Sequence, residues 1–174
     1  NSFAILHIIN NDKNVVIYIK VMIQLKIGDN APDFKGVIED GSSVSLKDYN
    51  GRKLVLYFYP KDNTPGCTAQ ACNLTENQDL LKAAGFEILG ISADSIKKHQ
   101  NFIEKFSLGF PLIADEDKTI INSFGVWGPK KFMGREYEGI HRVTFLIDES
   151  GVIENIFTKV KTKDHAQQIL ESHK

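Results

Sequence analysis

The sequence predicts an α/β domain: a mixed central β-sheet flanked by helices. Three observations carry that expectation. Residues 54–59 (LVLYFY) are apolar at nearly every position, as a strand covered on both faces should be. Residues 66–83 then place Ala69, Leu74, Leu80 and Leu81 at mostly helical spacings. Near the end, residues 143–147 and 152–159 alternate across Asp148-Glu-Ser-Gly151, a hairpin signal.

The remaining elements fall into the same rhythm. Gly85 is placed to stop the first helix in the left-handed conformation. Residues 86–92 (FEILGIS) read as a second buried strand. Asp94 or Ser95 then caps a helix running through Phe102 and Phe106. Residues 110–114 form a short strand and 117–124 a short helix before Gly125. Asp164 caps a closing helix to about Ser172. The layout is that of a thioredoxin-like fold carrying insertions, and it puts the first strand-to-helix turn at the carboxyl edge of the sheet, where ligands bind.

Composition narrows the function. A chain of 174 residues with 42% hydrophobic and 25% charged residues reads as one ordinary globular domain. A formal net charge of −1 gives no reason to expect nucleic acid or an anionic membrane as partner. No uninterrupted apolar run reaches the length of a membrane span. Two cysteines are too few for a disulfide scaffold and read as redox groups. Residues 1–21 stand apart, rich in Ile, Val and Asn, without the basic start or cleavage site of a signal peptide. We read them as an extension, with Met22 the native start and residues 22–174 the domain. An additional hairpin turning at Asn10-Asn11-Asp12 is the other reading.

The chemistry gathers at Pro60-Lys-Asp-Asn-Thr-Pro-Gly-Cys67. Cys67 is expected in the first turn of a helix, where unpaired N–H groups and the positive dipole end favour the thiolate, which is the nucleophile. A buried structural cysteine is the competing reading, and the turn residues Thr64, Pro65 and Gly66 disfavour it. The Thr64 hydroxyl, three positions earlier, can donate to the sulfur and accept from a peroxide, or simply cap the helix. Pro60 ends the strand, brings no N–H and shields the sulfur.

Cys72 lies five positions further along the same helical pattern. Five residues advance ~7.5 Å and turn ~140°, which separates the Cα atoms by ~8–9 Å. A disulfide needs them within about 7 Å, so the pair can bond only after the first turns unwind. That spacing suits a first sulfur that becomes a sulfenic acid and a second that resolves it; a core helix residue is the alternative. A cation is also required beside the thiolate. Arg142, at the start of the strand 143–147, is the best candidate for its permanent charge and planar donor fork. Arg135, Lys61 and Arg52 compete on sequence alone. The five histidines form no zinc spacing with either cysteine. His141 reads as a half-exposed strand residue, and Trp127, Phe124 and Phe132 as one core or rim cluster.

Pro60-x-x-x-Thr64-x-x-Cys67 resembles the peroxiredoxin active-site motif. With Cys72, Phe124-Gly-Val-Trp-Gly128 and the run Gly139-Ile-His-Arg-Val-Thr-Phe-Leu-Ile-Asp148, the likeness extends to the bacterioferritin comigratory protein, or peroxiredoxin Q, subfamily, and covers the chain from about Gln24 onward. The resemblance implies a thiol peroxidase acting on hydrogen peroxide and organic hydroperoxides. Cys67 would be its peroxidatic cysteine, Thr64 and Arg142 its activating groups, and Cys72 the resolving cysteine that closes an intramolecular disulfide reduced by thioredoxin. It implies no metal, haem or flavin, a monomer or weak dimer, and a cytoplasmic location. The competing class is a thioredoxin-like disulfide exchanger or redox sensor, which would need no peroxide-orienting groups.

Overall fold

The computed structural model describes residues 23–173, so the readings made for residues 1–21 lie outside the described residues. A five-stranded sheet organises the domain. Its strands are β3 (Lys53–Phe58), β4 (Phe86–Ser92), β5 (Leu112–Ala114), β8 (Val143–Ile147) and β9 (Ile153–Phe157), in the spatial order β5-β4-β3-β8-β9. β3, β4 and β5 run parallel, while β8 is antiparallel to β3 and β9 to β8. The expected mixed sheet is therefore present. The hairpin β8–β9 turns where the sequence places it, with Asp148 Oδ1 accepting from the N–H groups of Ser150 and Val152.

The period-2 geometry of β3 divides the core. Leu54, Leu56 and Phe58 face one apolar cluster with Ile91, Ile121, Phe124 and Phe145. Val55, Tyr57 and Tyr59 face another with Cys67, Ala71, Leu74, Phe102 and Ile169. The second cluster lies beneath α1 (Pro65–Glu76), α3 (Ile96–Phe106) and α5 (His165–Ser172). The first packs against α4 (Thr119–Ser123).

Four expectations are corrected. The pattern over 66–83 is two helices, α1 and α2 (Gln78–Ala83). Asn77 separates them, because both its N–H and its side-chain amide bond the Asn73 carbonyl and cap α1. Gly85 does stop α2 with φ +88°, as expected. Asp164 occupies the N-cap position of α5 but makes no side-chain cap bond. That work falls to Asn73 of α1, whose Oδ1 accepts from the Ala166 N–H at 2.8 Å and whose Nδ2 donates to the Lys163 carbonyl at 3.2 Å.

Two hairpins were not anticipated: β1–β2 (Lys35–Val37, Ser43–Ser45) and β6–β7 (Trp127–Phe132, Arg135–Ile140). β6 and β7 form a separate two-stranded sheet. This breaks up the expected aromatic cluster: Phe124 is fully buried, while Phe132, near the hairpin turn, is 67% exposed. His141 lies in the connection between β7 and β8, not within a strand.

Candidate active site

Sheet register explains why residues far apart in sequence meet. Phe58, at the end of β3, pairs with Val143, at the start of β8. The residue before β8, Arg142, therefore emerges beside the loop that leaves β3. That loop runs from Tyr59 to Thr64 and delivers the chain into α1 with Thr64 at the N-cap position and Pro65 within the first turn. Gly66 keeps the approach open: a Cβ there would sit 3.4 Å from Arg142 Nη2.

Cys67 is 2% exposed, its sulfur within the first turn of α1. Arg142 Nη2 donates to Sγ at 3.1 Å, and Nη1 donates to Gln70 Oε1. A guanidinium cannot lose its charge under ordinary conditions, so this is a charge-assisted contact on the sulfur. Gln70, one helical turn beyond Cys67 and fully buried, holds the other arm of the fork.

The field of Arg142 reaches further. His165, fully buried, has its pKa pushed down to about 4, first by burial and also by Arg142, so it is a neutral imidazole at pH 7. Its Nδ1 lies 2.9 Å from Gln168 Oε1, an obligate acceptor, so Nδ1 donates and Nε2 accepts from the Thr144 hydroxyl at 2.8 Å. Lys130, on β6, donates to the Ile140 carbonyl at 3.0 Å; burial and then Arg142 push its pKa down while Cys67 opposes them.

Thr64 is where expected, but its hydroxyl donates to the Lys61 carbonyl at 3.0 Å, neither to the sulfur nor to the helix as a side-chain cap. A hydroxyl spends its single proton on one acceptor, and that bond tightens the loop. Pro60 lines a cleft of about 390 Å³ together with Trp127, Lys130, Tyr137 and Ile140. Cys72 is half-buried on the same unbroken helix as Cys67, and both are free thiols. Burial, then the Glu76 carboxylate, raises the Cys72 pKa. Arg135 and Lys61 remain exposed, and Arg52 bonds Glu87 and the Asp48 carbonyl.

Residues 27–156 match the AhpC/TSA family. Peroxiredoxin Bcp of Escherichia coli (strain K12) is 50% identical over 149 residues, covering 86% of this chain and 96% of its own. The chain is a peroxiredoxin of the AhpC/TSA family. Peroxiredoxin Bcp of Bacillus subtilis (strain 168) is 43% identical over 150 residues, again covering 86% of this peroxiredoxin and 96% of its own length. Among solved structures, the bacterioferritin comigratory protein of Xanthomonas campestris superposes with a TM-score of 0.77 at 34% identity, over 87% of this chain and 96% of that one. That protein is described in trapped intermediate and ligand complexes bearing on its alkyl peroxide reduction activity. The fold and subfamily expected from the motifs are those of these relatives.

Sequence reasoning passed over several groups that the peroxiredoxin brings to this region. Gln70 carried a usable signal, since i and i+3 share a helix face. Tyr59, Asp62 and His99 carried none: Asp62 and His99 are in contact at 2.8 Å with no spacing rule to connect them, and Asp94, expected only as a possible cap of α3, accepts from the Asp62 N–H.

Proposed function

We propose that this peroxiredoxin reduces hydrogen peroxide and organic hydroperoxides through Cys67, with Cys72 as resolving cysteine and thioredoxin as reductant. The observation that carries the reading is the 3.1 Å contact between Arg142 Nη2 and Cys67 Sγ in the first turn of α1. In the first step the Cys67 thiolate attacks the distal peroxide oxygen. An S–O bond forms and the O–O bond breaks. The sulfur is oxidised to a sulfenic acid, and the leaving oxygen takes up a proton as water or an alcohol. The guanidinium, already beside the sulfur, stabilises charge as it moves onto the leaving oxygen. Thr64 receives the peroxide hydrogen on a hydroxyl lone pair, its own proton being held by Lys61. Pro60 and the adjoining cleft exclude water and offer Trp127 and Tyr137 to the organic part of a larger hydroperoxide.

In the second step the Cys72 thiolate attacks the Cys67 sulfur. An S–S bond forms, the S–O bond breaks, and hydroxide leaves as water once protonated. The start of α1 must open first, since both sulfurs now lie on one continuous helix. A dithiol reductant then returns both thiols. The test is peroxide consumption coupled to thioredoxin, its reductase and reduced nicotinamide cofactor. Wild type should turn over and Cys67→Ser should not. A wild type inert with thioredoxin and with other dithiols would sink the reading in favour of disulfide exchange.

A further inference from the structure

The loop that presents Thr64 and Cys67 is fastened from behind by a buried polar cluster with no part in the steps above. Asp62, in mid-loop, is 5% exposed, and His99 of α3 is fully buried. The Tyr59 hydroxyl donates to Asp62 Oδ1 at 2.7 Å, and His99 Nδ1 lies 2.8 Å from Asp62 Oδ2. The Asp62 N–H donates to Asp94 Oδ2 at 2.8 Å. Asp94 is itself gripped at the end of β4. Burial alone would raise its carboxyl, but hydrogen bonds from Asp62, Lys98 and Ser92 outweigh it and hold the pKa below the ordinary value.

The far side of His99 fixes the proton count. Nε2 lies 3.0 Å from the Ile113 carbonyl oxygen, which can only accept, so Nε2 carries a hydrogen. The contact between Nδ1 and Asp62 Oδ2 therefore holds one further proton, placed on either atom, and is a hydrogen bond in both cases. The loop is thus tied to α3, to β5 through Ile113 and to the end of β4. Directly after the tie Asn63 adopts φ +57°, a conformation Asn tolerates better than most residues, and Thr64 follows at the N-cap position.

We propose that Asp62 and His99 are positioning residues for the reaction at Cys67: their buried hydrogen bond sets the strand-to-helix loop, and through it Thr64 and the first turn of α1, against Arg142. The proposal rests on the peroxidase reading for its rate measurement but not for its geometry. Misplacing a reacting atom by about 1 Å costs up to about a hundredfold in rate.

Two substitutions separate position from charge. In Asp62→Asn the amide oxygen still accepts from Tyr59, and the amide N–H donates to Nδ1 of a neutral His99, so every bond survives without the carboxylate. In Asp62→Ala the bonds are lost. The readouts are the single-turnover rate of Cys67 oxidation by hydrogen peroxide and the pH profile of Cys67 alkylation, each set beside the melting temperature. Asp62→Ala and His99→Leu should slow oxidation by about tenfold to a hundredfold and move the alkylation profile to higher pH. Asp62→Asn should remain within about threefold of wild type. Asp115→Asn serves as a control for general destabilisation: Asp115 is a buried carboxylate that caps α4 and does not touch the loop, so it should lower the melting temperature and leave the rate unchanged. An Asp62→Ala protein reacting at the wild-type rate would overturn the proposal. So would an Asp62→Asn protein as slow as Asp62→Ala, because charge rather than bonding would then be responsible. Should Asp62→Ala fail to fold, Asp62→Asn and Tyr59→Phe, which deletes one bond of the cluster, decide it by the same measurements. A wild type that alkylates readily but does not consume peroxide would count against the peroxidase reading alone, and the alkylation profiles would still settle the positioning.

Discussion

Cys67 and Cys72 share one helix and almost nothing else. Cys67 is buried in the first turn of α1 with a guanidinium on its sulfur. Cys72 is half-buried and its thiol is pushed up by burial and by Glu76 one turn later. Charge of opposite sign thus faces the two sulfurs within five residues. On the proposed cycle, this difference lets a single helix carry one sulfur poised to attack and another that stays inert until the helix opens. Reactivity is assigned by what lies across from each residue, not by the helix itself.

The largest effect should come from removing the inert partner. Cys72→Ser should retain one equivalent of peroxide reduction per chain and lose thioredoxin-driven cycling, read as a burst followed by no further oxidation of nicotinamide cofactor. Normal cycling by Cys72→Ser would break the comparison, since Cys72 would then have no resolving task. Next comes the charge that distinguishes Cys67. Arg142→Ala should lower the second-order rate of Cys67 oxidation by about 10²- to 10³-fold, the scale of losing one preorganised donor. Stopped-flow fluorescence of the reduced protein would follow it, with Trp127 as the reporter.

A pH titration sharpens the contrast by testing how far that guanidinium reaches. His165 has a folded pKa of about 4 against an ordinary value of 6.5. Between those values the unfolded chain binds the extra proton, so stability is complete above about 6.5 and falls as the pH drops toward 4. Between pH 7 and pH 4.5 the loss should be about 2 kcal/mol, read from the denaturant midpoints. Arg142→Ala should shrink that loss, because an imidazole freed of the guanidinium protonates more readily in the folded state. The smallest effect belongs to Glu76→Gln. Removing that exposed charge should lower the Cys72 pKa and speed disulfide formation at pH 7 by about twofold, measured by quenched mass analysis.

Much of the site was legible in the sequence because its parts sit beside local structure signals. Pro60, Thr64 and Cys67 mark a strand end, a helix start and its first turn, and Arg142 precedes an alternating strand. What stayed hidden depends on contacts between distant segments. Asp62 and His99 lie 37 residues apart, and only the packing of α3 over the loop brings their side chains together. The break at Asn77 was masked because leucines continue at helical spacing on both sides of it. The hairpin β6–β7 was missed for a different reason: it lies outside the main sheet, and its strands carry Pro129, Lys130, Lys131 and Glu136 where a half-buried strand would alternate. The sequence offers the Thr64 hydroxyl to the sulfur or to the helix start, and neither reading anticipates the Lys61 carbonyl, an acceptor within its own turn.

The side chain of Asn73 reaches from α1 to the backbone of the Lys163–Ala166 segment, one residue after Cys72. On the proposed cycle it acts as a mooring post. Melting that begins at Thr64 can run through Cys72 and then meets a residue tied to another part of the molecule. Everything beyond, including α2 and the sheet behind it, keeps its folded bonds while the sulfurs join. Each turn of the cycle then rebuilds a segment about two helical turns long rather than a domain. If the proposed cycle holds, the protein must partly unfold to work, and the risk of misfolding stays confined to those few residues.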